Sequence, residues 1–217
     1  MRIFVGHDST QPENTEVCVK SLERFGLTVE LLDRRVLKET YGYDRGVEDG
    51  STEFAYTRFL VPFLCDYKGM ALFCDSDFLW RKSPMQMLGH YQEDTAISVV
   101  HHLIKMVRED VKFSNNKNEW YPRKWWSSMM LFNCSHEDNK KLTVEAVNSQ
   151  TPAWLHRFGW TDKLGRLPET YNWLAGYYHP DADPVAVHFT DGTPIHQKYR
   201  NEPFAEEYLD LLRSNTW

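Results

Sequence analysis

Asp75 and Asp77, separated only by Ser76, stand where the apolar run Met70–Cys74 ends and before Phe78-Leu79-Trp80 resumes it. In extended backbone, residues i and i+2 project from one face, so the two carboxylates point together into whatever lies above the strand end. Their repulsion has three outcomes. The pair diverges into water as a solvated turn, one acid takes up a proton, or a cation binds between them, and hard divalent ions such as Mg²⁺ or Mn²⁺ favour these oxygen ligands. Other residues with chemical capacity are spread along the chain: His7 and Asp8 after a short β-prone run at 2–5, Arg58 ahead of the Asp75 strand, and His188 in the run 185–189, before Thr190-Asp191-Gly192-Thr193-Pro194. The adjacent His101 and His102 project to opposite sides of a strand and do not suit one shared ion.

The elements needed to hold such groups alternate between strand and helix. Residues 2–5 form a strand and Gly6-His7-Asp8-Ser9 a turn, after which Pro12 opens a helix over 12–25. Residues 28–32 form a second strand, and the polar stretch 41–50 reads as a surface loop. This β-α-β order favours a parallel sheet. Residues 52–67 read as a helix with Phe54, Ala55, Phe59 and Leu60 on one stripe, kinked or split by Pro62. Further along, the patterning predicts a short helix at 84–88, strands at 95–100, 128–132 and 185–189, and helices at 137–148 and 203–212. The polar stretch 109–123, carrying Asn115-Asn116-Lys117-Asn118, reads as a loop beside the site that orders on ligand binding, whereas 154–172 shows no clean period.

A chain of 217 residues suits one domain with a full core. Its net charge of −6 and pI near 5.8 leave no basic stripe, which argues against nucleic acid or a polybasic membrane patch as partner. The four cysteines, Cys18, Cys65, Cys74 and Cys134, form no C-x-x-C pair and read as reduced core thiols of a cytoplasmic protein. No stretch approaches the ~20 apolar residues needed to span a bilayer, and the opening run is too short for a signal peptide. Aromatic residues make up 14% of the chain, including eight Trp, enough to supply core area or flat surfaces for stacking on sugars.

Taken in order, a strand ending in His7-Asp8, Arg58 ahead of an apolar strand, Asp75-Ser76-Asp77, and a late His188-Phe189-Thr190-Asp191-Gly192 resemble glycosyltransferases of the GT-A (nucleotide-diphospho-sugar transferase) fold, in particular glycosyltransferase family 8. The segment 54–79 carries the best match, with weaker ones at 5–22, 126–133 and 168–173. The resemblance implies an α/β fold, a mostly parallel central sheet flanked by helices, forming a single domain over 1–217. It implies Asp75, Asp77 and His188 as ligands of Mn²⁺ (or Mg²⁺), with the ion bridging the diphosphate of a UDP-sugar. Donor contacts would come from His7 and Asp8, assigned to base and ribose at the end of the first strand, and from Arg58, Ser76 and Gly192. The sugar would pass to a hydroxyl acceptor, a glycan among the options, with retention of anomeric configuration. The 120–126 segment would cover the donor or stack on the acceptor.

The chain departs from the family pattern in three places, the first being Trp126-Ser127-Ser128 where the family has an Asn-x-Gly strand start. After Gly192 the expected Lys-Pro-Trp is replaced by Thr193-Pro194-Ile195-His196-Gln197-Lys198, so the lysine is out of register and either Lys198 or His196 would have to substitute. The family's Asp-Gln-x-x-Leu-Asn stretch has no match near 155–162, which leaves Asp162 as the candidate catalytic carboxylate. Two rival functions fit parts of the pattern. A strand ending in D-x-D also resembles haloacid-dehalogenase-like phosphatases, with Asp75 as nucleophile and Asp77 as acid/base. A catalytically silent sugar-nucleotide or glycan binding module would carry the same fold, because function resides in sites.

Overall fold

The computed structural model describes residues 1–46, 50–108 and 119–214; residues 109–118 of the stretch 109–123, expected to form a loop beside the site, lie outside them. The chain opens with β1 (Arg2–Gly6), passes through α1 (Pro12–Glu23) to β2 (Glu30–Leu32), and continues into α2 (Arg34–Tyr41). Turns, a 3-10 segment at Thr57–Leu60 and α3 (Val61–Leu64) lead to β3 (Met70–Cys74) and then β4 (Phe78–Trp80). There follow β5 (Ile97–Val100), β6 (Met129–Asn133), α4 (Val144–Ser149), α5 (Pro152–His156), β7 (Leu164–Leu167), β8 (Trp173–Leu174), β9 (Ala186–His188) and α6 (Ala205–Arg213).

Six strands form the central sheet in the order β2-β1-β3-β6-β5-β7. β6 runs antiparallel to both its neighbours, and the other pairings are parallel. The strand alternation fills both faces: Phe4, Ala71, Phe73, Met130 and Phe132 pack on one side, and Ile3, Val5, Leu72, Cys74 and Leu131 on the other. Each fully buried Val, Leu, Ile, Phe or Met among them contributes about 1.5–3 kcal/mol, so register is strongly specified. The carboxyl ends of β1, β3, β5 and β7 therefore share one edge with the start of β6. A second, three-stranded sheet, β4-β9-β8, lies beyond that edge.

Local signals explain most element ends. The helix expected over 52–67 is instead turns, a 3-10 segment and the single turn of α3, with Pro62 in that first turn, where its missing N–H costs nothing. Its expected stripe, Phe54, Ala55, Phe59 and Leu60, is nonetheless buried. The helix expected over 137–148 breaks into a 3-10 segment, Glu137–Lys141, and α4, because Thr143 accepts from the Ala146 N–H and starts a new helix. α2 was not expected. It is capped by Asp33, which accepts from the Arg35 N–H, and closed by Gly42 at φ 73. The four cysteines are free and buried. Among the described residues, no helix is long and apolar enough to cross a membrane.

Asn139, fully buried after β6, donates to Ala96 O at 2.8 Å and Asn133 O at 2.7 Å and accepts from Trp160 Nε1 at 3.0 Å. It ties the entry of β5 to the exit of β6. Asn139→Ala would take the acceptor from Trp160 Nε1, while both carbonyls keep a backbone donor, and should cost about 1–3 kcal/mol. The check is urea unfolding, where the midpoint should fall at constant slope; an unchanged midpoint would contradict this role for Asn139.

Candidate functional site

Two ladders meet at the sheet edge and bring three ligand groups together. β3 extends its pairing with β6 by one bond, the Asp75 N–H donating to Ser128 O at 2.8 Å, which fixes the direction in which Asp75 leaves the strand. On the other side, β4 pairs antiparallel with β9 so that Phe78 lies opposite His188, and the Phe189 N–H donates to Asp77 O at 3.0 Å. Asp75, Asp77 and His188 consequently place one ligand atom each within 4.8 Å of one another. His188 Nε2 lies 3.4 Å from Asp77 Oδ1. Two carboxylates and an imidazole form an oxygen-rich, borderline donor set that fits a divalent ion such as Mn²⁺ or Mg²⁺.

The imidazole is held on several sides. Phe78 stacks on it with centroids 4.5 Å apart, and Nδ1 lies 2.9 Å from Asn172 Oδ1. Arg58 holds Asp75: its Nη1 reaches Asp75 Oδ1 at 2.8 Å and donates to Ser127 O at 2.8 Å, while Nε donates to Phe54 O at 3.3 Å. The guanidinium is buried over the Phe54 and Phe73 rings.

These groups form the floor of a cavity of about 650 Å³ whose walls include Tyr121, Lys124, Trp125, His156, Arg157 and Thr190. A recess of about 60 Å³ continues from Asp77 and Thr190 to Gly192, where a Cβ would lie 2.2 Å from the Tyr199 ring. His156 is held through Nδ1, 2.9 Å from Ser127 Oγ, and by edge contact with Phe59. Burial, then the charges of Arg58 and Arg45, lower its pKa to about 3, so it offers neutral polar contacts to the cavity. His102 is not one of the three clustered ligands, and its Nδ1 lies 2.8 Å from Tyr178 OH.

Of the residues singled out in the sequence, Asp75, Asp77 and His188 come together, and Arg58 lines the cavity with its fork already engaged by Asp75 and backbone carbonyls. Gly192 lines the recess, and Ser76 is buried in the turn between the two acids. His7 and Asp8 line neither space. Asp8 caps its own turn, accepting from Thr10 N and Oγ1 and from Glu53 N, and His7 Nδ1 lies 3.3 Å from Thr15 Oγ1. Asp162 precedes β7, which runs parallel to β5, and is therefore exposed at the opposite end of the sheet from Asp75. Lys198 and His196 line neither space. From the 120–126 segment, Tyr121, Lys124 and Trp125 do line the cavity. Sequence reasoning missed His156, which lies in the stretch without a period, and gave no role to Ser128 or Asn172.

No protein-family model matches the chain. Protein CDI of Arabidopsis thaliana is 38% identical over 224 aligned positions, covering 97% of this chain and 85% of that protein. Among solved structures, the glycosyltransferase GlyE of Streptococcus pneumoniae TIGR4 matches with a TM-score of 0.63 at 12% identity, over 99% of this chain and 61% of GlyE. The galactosyltransferase LgtC, solved with donor and acceptor sugar analogs, matches with a TM-score of 0.62 at 14% identity, over 100% of this chain and 97% of LgtC. The bifunctional glycosyltransferase WbbM matches at 0.64 and 11% identity, over 100% of this chain and 50% of WbbM. The chain thus spans about three-fifths of GlyE and half of WbbM. These likenesses establish the GT-A fold.

Burial, with the nearby His188 and His101, lowers the pKa of His102 to about 3. Below pH 6.5 the unfolded chain takes up a proton that folded His102 refuses, so its contribution to stability is full above pH 6.5 and is lost as pH falls toward 3. Between pH 6 and pH 5 this amounts to roughly 1 kcal/mol. His102→Gln, which retains a polar partner for Tyr178, should remove that share. Urea midpoints at the two pH values provide the check, and an equal fall in both proteins would refute it.

Proposed function

The chain belongs to the family of the Arabidopsis thaliana Protein CDI, and from the GT-A fold and the site geometry we propose that it is a metal-dependent glycosyltransferase that moves a sugar from a UDP-sugar to a hydroxyl acceptor. The observation that carries the reading is the convergence of Asp75, Asp77 and His188 within 4.8 Å at the floor of the cavity. LgtC, of the same fold, was solved with donor and acceptor sugar analogs, which supports a cavity that takes both substrates. A divalent ion held by the three ligands would stabilise, as a Lewis acid, the charge left on a departing diphosphate.

The protein's own groups then bind and orient. Arg58 holds the Asp75 carboxylate toward the cluster, and its positive charge offsets that of one acid. His156, neutral at ordinary pH, offers hydrogen bonds to sugar hydroxyls without adding charge. Trp125 and Tyr121 supply flat walls suited to a sugar ring. The UDP moiety and retention of configuration are proposed from the resemblance of 54–79 and of the segment 188–192 to glycosyltransferase family 8. The alternative phosphatase reading requires Asp75 as an open nucleophile, and Arg58 already occupies its Oδ1 at 2.8 Å.

Thermal unfolding with UDP, GDP, CMP and ADP, each with and without Mn²⁺, tests the proposal. Saturation a hundredfold above Kd adds ~2.7 kcal/mol, which for a chain of this size raises Tm by roughly 5–11 °C. UDP should produce that shift only when Mn²⁺ is present, and Asp75→Ala or Asp77→Ala should abolish it while leaving the chain folded. A shift with another nucleotide would change the donor. No shift with any nucleotide would sink the transferase reading and leave a silent glycan-binding module.

A further inference from the structure

His188 meets the acidic pair with its ring already constrained on the far side. Nδ1 lies 2.9 Å from Asn172 Oδ1, and Asn172 is fully buried. Which atom of that amide faces the ring is settled by its other neighbours. Asn172 Nδ2 lies 3.3 Å from Trp125 O and 2.9 Å from Ser128 Oγ, and Ser128 Oγ in turn donates to Trp125 O at 2.6 Å. A carbonyl oxygen only accepts, so the amide nitrogen must face Trp125 O, leaving the amide oxygen toward the ring. An oxygen acceptor requires a donor opposite it. His188 therefore carries a proton on Nδ1, and Nε2 is left as its atom on the side of the acids, 3.4 Å from Asp77 Oδ1.

The backbone at Trp125 fits this assignment. Trp125 has φ 67, a left-handed conformation that a bulky residue adopts at a cost of order 1–3 kcal/mol. The turn it makes directs its carbonyl to Asn172 Nδ2, Ser128 Oγ and Ser128 N. The stack with Phe78, 4.5 Å between centroids and 17° from parallel, fixes the plane of the imidazole, while the bond to Asn172 fixes its rotation within that plane.

We propose that Asn172, locked by Ser128 and the Trp125 carbonyl, is the positioning residue of the cation site and holds His188 as the Nδ1–H tautomer with Nε2 ready to ligate. The role rests on the cation reading above, and the test separates the two. ¹⁵N NMR of histidine-labelled, metal-free protein should show a proton on His188 Nδ1. Isothermal titration with Mn²⁺ alone should give Asn172→Leu a Kd about 10–100-fold weaker than wild type. Asn172→Asp keeps an acceptor for Nδ1–H but turns its second oxygen toward the Trp125 carbonyl, and should bind more tightly than Asn172→Leu. Ser128→Ala removes one lock on the amide and the hydroxyl that lies 3.4 Å from His188 Nδ1, without filling space, and should weaken binding in the same direction by less. Should Asn172→Leu fail to fold, Ser128→Ala and the wild-type tautomer carry the test. A His188 Nδ1 without a proton in the wild type overturns the proposal, as does wild-type affinity in the folded Leu and Ala variants. A wild-type protein that binds no Mn²⁺ overturns the cation reading and the positioning role with it; wild-type binding that these variants leave unchanged overturns the positioning role alone.

Discussion

Asp75 and Asp77 repel one another, and the fold counters that repulsion from beneath with the Arg58 guanidinium. Removing such a pair from water costs several kcal/mol per ion unless the remaining donors and acceptors are met. Here they are largely met: the same guanidinium donates to Ser127 O and Phe54 O and lies over two phenylalanine rings. By formal charge, one arginine against two acids leaves a single negative charge. A dication turns that into a net positive charge, the sign needed beside a diphosphate. The ion pair thus makes the cluster neither too acidic to assemble in the folded chain nor too neutral to attract a cation.

How legible this was in the sequence depends on distance along the chain. Asp75 and Asp77 announce themselves locally, because i and i+2 share a face wherever the strand ends. His188 lies more than a hundred residues away, and only the resemblance to a known motif placed it with them. The partner of Arg58 was not legible at all. A guanidinium ahead of an acidic strand suits a phosphate as well as a carboxylate, and only tertiary packing decides between them. Asp8 shows the converse, since a carboxylate in a strand-helix turn suits either a ligand or its own cap, and it accepts from Thr10 and Glu53. Asn172 and Ser128 gain meaning only where the second sheet, β6 and the Trp125 turn converge.

The strand and helix pattern was legible where periodicity was uninterrupted and failed where a cap or proline intervened. The runs behind β1, β3, β5, β6 and β9 were evident because buried strands are apolar throughout. The helix expected over 52–67 failed because burial of Phe54 and Phe59 does not need helical periodicity once Pro62 restarts the chain. Asp162 looked plausible only while the direction of β7 was unknown. Parallel pairing with β5 places its start, and Asp162 with it, at the other end of the sheet.

The reversal of β6 gives the site its third wall. In a parallel sheet the cleft at the carboxyl edge is lined by segments that follow the strands. β6 runs the other way, so the segment that precedes it, from Tyr121 to Ser128, arrives at that edge instead. This segment carries Tyr121, Lys124 and Trp125 along the cavity, hands Ser127 to Arg58 and His156, and hands Ser128 to Asp75 and Asn172. One inverted strand therefore links the aromatic wall of the cavity, the arginine beneath the acids and the asparagine behind the histidine. A change in the course of residues 121–128 cannot move one of these contacts without disturbing the others.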